Sequence, residues 1–113
     1  MSLYLIQASY NPETLRILLQ NPEDRSQRVR QPIETLGGKV HEMFFSFGDY
    51  DALVIAEMPN NVAAAAIAVA FASGGAVKNI KTTPLLSTTE AVEAFKQAGR
   101  SGYQPLTSAR AAG

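Results

Sequence analysis

The sequence predicts an α+β domain whose elements run β-α-β-β-α-β, followed by a short final helix. Two observations predict it. The stretch Phe44 to Met58, FFSFGDYDALVIAEM, sets two apolar runs rich in aromatic and β-branched residues around a Gly48-Asp49-Tyr50-Asp51 break, the pattern of a hairpin. On either side of it, Asn11-Pro12 and Pro59-Asn60-Asn61 read as helix starts.

Leu3 to Ser9 opens the chain as a strand. Tyr4, Ile6 and Ala8 share one parity and Leu3 and Leu5 the other, so both faces of the sheet begin apolar. Asn11 then caps a helix with Pro12 at its first position and a stripe of Leu15, Leu18 and Leu19. The Asn-Pro pair recurs at Asn21-Pro22, where the helix is expected to restart after a bend, with Glu23 and Asp24 in the new first turn. Val29, Ile33 and Leu36 make the inward face of this piece. Pro32 removes a backbone donor, which predicts a kink or an early end near Arg28 to Gln31. Gly37-Gly38 closes the segment.

Lys39 to Phe47 is the second strand and Ala52 to Met58 the third. Simple alternation puts Val40, Glu42, Phe44 and Ser46 on one side and His41, Met43, Phe45 and Phe47 on the other. Asn61 to Ser73 is a helix without one charged residue. Val62 and Val69 lie nearly opposite Ile67 and Phe71 on it, so burial all round is expected, with a second protomer supplying cover. Its alanines suit either close approach of a partner or plain helix propensity. Ala76 to Leu86 is the fourth strand, and Lys78, Lys81 and Pro84 suit an edge. Ser87 to Glu90 has capping-box spacing for a last helix carrying Ala91, Val92, Phe95 and Ala98, with Gly99 as its cap. Residues 1–99 are read as one domain and 100–113 as a mobile tail.

This is the ferredoxin-like order, with a four-stranded antiparallel sheet. Helices cover one face of such a sheet. Apolar residues on the other face call for a partner sheet, and a homodimer or higher even oligomer would provide it.

The hairpin hinge Phe47-Gly48-Asp49-Tyr50-Asp51, followed by Ala52 to Glu57 and Pro59, resembles the GYD domain family. That family is named for a Gly-x-Tyr-Asp turn, matched by Gly48, Tyr50 and Asp51. Leu36-Gly37-Gly38-Lys39-Val40, the Thr88 to Gly99 helix and Tyr103-x-Pro105 are similar to its pattern too, so the resemblance covers about residues 3 to 106. Pro32 and the run Ala63 to Ala66 depart from it. The resemblance implies a dimeric α+β-barrel type of domain and no particular reaction.

Composition narrows the function. Ten Lys+Arg balance ten Asp+Glu, which disfavours a global grip on nucleic acid. No cysteine is present, which excludes disulfides, thiolate metal sites and cysteine nucleophiles. No metal site or cofactor is expected. The apolar run at the start is too short for a signal peptide or a membrane span, and a soluble, cytoplasmic protein is expected.

Five residues are candidates for a site. Tyr50 and Asp51 have two readings: a turn held by its own side chains, or a hydroxyl and a carboxylate on a pocket rim. His41, the only histidine, is either incidental or a base, and Tyr4 and Glu57 are its candidate neighbours. Arg25, Arg28 and Arg30 read as a solvated helix face or as an anion contact. The function expected first is an oligomeric small-molecule-binding or assembly protein. The alternative is a small cofactor-free enzyme, monooxygenase- or isomerase-like, with His41 as base and Tyr4 or Tyr50 as oxyanion donor.

Overall fold

The computed structural model describes residues 1–106. The elements are β1 (Ser2–Tyr10), α1 (Pro12–Gln20), α2 (Ser26–Thr35), β2 (Lys39–Phe45), β3 (Ala52–Met58), α3 (Asn61–Ser73), β4 (Val77–Leu85) and α4 (Thr88–Gly99). The four strands form one antiparallel sheet in the order β2-β3-β1-β4, a ferredoxin-like α+β arrangement. The part of the expected tail that spans 107–113 lies outside the described residues.

One sheet face carries the core. Tyr4 and Ile6 on β1, Val40 on β2, and Val54, Ala56 and Met58 on β3 meet Ile33 of α2 and Ala64 and Ile67 of α3. Ile6, Ile33, Met58 and Ile67 are fully buried, each contributing about 2 to 3 kcal/mol of apolar transfer. The tyrosine in this core is satisfied, its hydroxyl donating to Asn61 Oδ1. Leu3, Leu5, Leu53, Ile55 and Leu85 occupy the other face and stay half-buried, with no helix over them.

β2 does not alternate simply. Its register against β3 pairs Val40 with Ala56 and then Glu42 with Ile55, leaving His41 as the extra residue of a bulge. Val40, Met43 and Phe45 therefore share the helix side, opposite Ala56, Val54 and Ala52. Glu42 and Phe44 share the open side, opposite Ile55 and Leu53. Simple alternation had divided these residues differently, because one inserted residue exchanges the faces beyond it. The strand also ends at Phe45, two residues early.

The segment from Asn21 to Arg25 corrects a second expectation. The helix does not restart at Asn21-Pro22; α2 begins at Ser26, and Glu23 and Asp24 precede it. Asp24 Oδ1 accepts from the Ser26 N–H at 2.8 Å, so the acidic side chain caps the helix from outside. Nor does Pro32 end α2, which runs on to Thr35. The missing donor falls opposite the carbonyl of Arg28, an exposed residue, while fully buried Ile33 holds the next turn on the sheet.

Behind α2 the glycine pair has two separate reasons. Gly37 takes φ of 88°, the left-handed region. Gly38 passes so close to β3 that a Cβ would lie 2.5 Å from Glu57 O and from Met58 Sδ. α3 has its expected bounds, with Asn60 Oδ1 accepting from the Ala63 N–H at 2.9 Å. Within one chain it is not buried all round: Val62 and Val69 are 79% and 67% exposed.

α4 carries the expected capping box, with Ser87 Oγ accepting from the Glu90 N–H and Glu90 Oε1 accepting from the Ser87 N–H. Gly99 is its last helical residue, and Arg100 takes the cap position. None of its residues is buried, and Phe95 is 75% exposed. The helix stands away from the body, so the radius of gyration is 18.8 Å, where a compact domain of this size has roughly 13 Å.

Candidate functional site

The hairpin loop from Ser46 to Asp51 is tied to the end of β1. The Asp51 N–H donates to Ala8 O at 2.8 Å, and Asp51 Oδ2 accepts from the Tyr10 N–H at 2.8 Å. Ser9 Oγ donates to Asp49 O at 2.6 Å, and Ser46 closes the loop through Tyr50 O and Asp51 O, both at 2.7 Å. The Asp51 carboxylate thus satisfies a backbone donor at the point where β1 bulges against β4, between Ser9 and Tyr10. Tyr50 joins through its backbone carbonyl, and its half-buried ring lines a shallow hollow with Gln7, Phe47, Gly48, Leu53 and Lys81.

Of the candidate set, the structure brings His41 and Glu57 together. The bulge lets His41 Nε2 reach Glu57 Oε1 at 3.1 Å, with both side chains partly exposed on the open face. Tyr4 is elsewhere, buried on the helix side, and Tyr50 and Asp51 sit at the hairpin end. The five residues do not form one cluster. Glu42 faces Ile55 in register rather than Glu57, so the two glutamates are not a carboxylate pair across the strands.

The better-formed concavity lies at the β2 edge of the sheet, where the α1–α2 connection passes it. Its volume is about 450 Å³. Leu18, Met43, Phe45, Ala52 and Tyr10 give it apolar walls, Arg25 and Arg30 are its cations, Glu23, Asp24 and Glu42 its acids, and His41 and Phe44 reach it from the open side of the edge strand. Two of those acids are engaged. Glu23 Oε2 accepts from Arg28 Nε at 2.9 Å, which holds the Glu23 carboxyl below its usual range and the Arg28 guanidinium above its own. Hydrogen bonds from Ser26, the backbone one first, likewise hold Asp24 low. Arg25 lies over the Tyr10 ring, 5.7 Å from its centroid. Among the described residues, neither Arg25 nor Arg30 has a carboxylate within ion-pair distance, although both are half-buried.

Reading the three arginines as one class misses that difference. Arg28 is the solvated one. No spacing rule announces that Arg25 and Arg30 flank a common space, since residues five apart do not share a helix face. Among the described residues no group of three or more His, Asp or Glu could hold a metal ion, and no helix is long and apolar enough to cross a membrane.

The fold and its clamped turn define a small ferredoxin-like α+β domain. The chain belongs to the GYD domain family, whose model matches residues 4–95. No curated protein and no solved structure matches it.

Proposed function

We propose that the protein is a homo-oligomeric binder of a small molecule carrying an anionic group on an apolar body, held in the cavity between the α1–α2 connection and β2. The observation that carries this reading is the pair of half-buried arginines, Arg25 and Arg30, that line the cavity beside apolar walls with no carboxylate within ion-pair distance among the described residues. Two guanidiniums on one cavity offer a carboxylate or phosphate charge-assisted hydrogen bonds. Leu18, Met43 and Phe45 would take the apolar part. Self-association rests on the uncovered apolar sheet face of Leu3, Leu5, Leu53 and Ile55.

Native mass spectrometry of protein purified gently from its own cells tests both parts in one spectrum. A multiple of the chain mass with a reproducible small addition is expected. Arg30→Ala should weaken retention of that addition about tenfold to a hundredfold, the worth of one charge-assisted hydrogen bond. Retention unchanged in Arg25→Ala and Arg30→Ala would remove the cavity assignment.

The His41–Glu57 pair supports a second reading, a small cofactor-free enzyme. A carboxylate on one ring nitrogen orients an imidazole and leaves the other free to take a proton. If so, His41→Ala abolishes turnover of a substrate that the wild type converts, and Glu57→Gln reduces it. Full turnover by His41→Ala would end this reading.

A further inference from the structure

α4 is a complete helix with nothing to rest on. Twelve residues are too few for a stable helix in water by themselves, even with a capping box. At about 100° per residue, Ala91, Val92, Phe95, Ala98 and Gly99 fall on one side, away from Glu93, Lys96 and Arg100. Val92 is 52% exposed and Phe95 75%. The body, in turn, presents a hollow of about 370 Å³ at the hairpin end of its open face, lined by Phe47, Gly48, Tyr50, Leu53 and Lys81 among others. Phe47 is 94% exposed there. Nothing within one chain asks for a glycine at position 48: its φ is not positive, and a Cβ would have no atom within 4 Å.

We infer that α4 of one copy seats its Val92–Phe95 side in the Gly48 hollow of a second copy, reciprocally. This rests on the self-association proposed above and names the segment that crosses. Charge favours the pairing at its rim: Asp49 lines the hollow, Lys96 flanks the Val92 side of α4, and among the described residues neither has an ion pair. Area favours it as well. A four-stranded face of seven-residue strands spans roughly 450 Å² in projection, and a twelve-residue helix adds about 200 Å². A standard interface buries about 800 Å² of accessible surface per partner, and α4 enlarges what the open face can offer towards it. Gly48 then has a reason, since a side chain there would meet the incoming helix.

The test compares native masses of the full chain and three variants at matched concentration: Phe95→Asp, Gly48→Leu and, as a control, Val62→Asp on exposed α3. Circular dichroism confirms that each is folded, which α4 permits because it buries no residue of its own. The wild type and Val62→Asp should run at twice the chain mass. Phe95→Asp and Gly48→Leu should dissociate at least about tenfold more readily. Pairing that survives in both variants overturns the inference and leaves self-association standing. A wild type that stays at single-chain mass overturns both. Mixing ¹⁵N-labelled with unlabelled protein before zero-length carbodiimide coupling adds a direct readout: heavy–light peptides joining Asp49 to Lys96 are expected, and joins only within one isotope class count against it.

Discussion

Asp51 is bonded on three sides, through its N–H, its carbonyl and its carboxylate, and each bond runs to a different residue. Asp51→Ala leaves the N–H of buried Tyr10 without its acceptor, which should cost about 1 to 3 kcal/mol in urea unfolding. Asp51→Asn keeps an oxygen and should lose less. Tyr50→Phe is expected to change stability by less than about 0.5 kcal/mol, since the hydroxyl makes no hydrogen bond among the described residues. Gly38→Ala should cost about 2 to 3 kcal/mol, because the added methyl meets backbone of β3, which yields little. At the start of α2 the Glu23 and Asp24 carboxyls both titrate low. Their bonds are therefore fully present above the ordinary carboxylate range and lost as pH falls through the lowered values. The Ser26 amide resonance should report that loss, shifting with a midpoint below the usual aspartate value.

Among the elements, type and order were readable from periodicity and caps, and α3 even to its bounds. Three features were not. The bulge at His41 escaped because a single inserted residue has no composition of its own; Val40 and Met43 look as though they point opposite ways until pairing with β3 is known. The passage of α2 through Pro32 escaped because a helix breaker's local cost says nothing of the tertiary hold exerted by the next residue, Ile33, fully buried in the core. Pro32→Ala should accordingly raise stability by about 1 to 2 kcal/mol, the restored hydrogen bond being offset in part by a looser unfolded chain. A fall in stability would mean that the half-buried ring's packing is worth more than the missing bond. The third feature is the cavity. Its walls come from β1, α1, α2, β2 and β3, and no local pattern announces a space that five elements enclose. His41 and Glu57, sixteen residues apart, were readable as candidate neighbours from their strands, and the register supplied the contact itself.

For the whole molecule, the body and α4 are held by different things. The core draws on β1 to α3 and includes no residue of α4. Unfolding of the body should thus be insensitive to Phe95→Asp at dilutions where chains are separate, to within about 0.5 kcal/mol. Hydrogen exchange should separate the two parts: core strand amides protected at every concentration, α4 amides protected only as concentration rises. Protection of α4 independent of concentration would point to cover from its own chain. The bulge in β2 has one more consequence, for the kind of assembly available. β2 is one border of the sheet and is bent by its extra residue; β4, the other border, carries Pro84, Lys78 and Lys81. Strand-by-strand growth, which adds chains without end and makes filaments, is obstructed at both borders. What remains is the broad side, and a broad side is used up by one neighbour. The inserted residue, His41, which reaches Glu57, would thereby bias any self-association towards assemblies that stop.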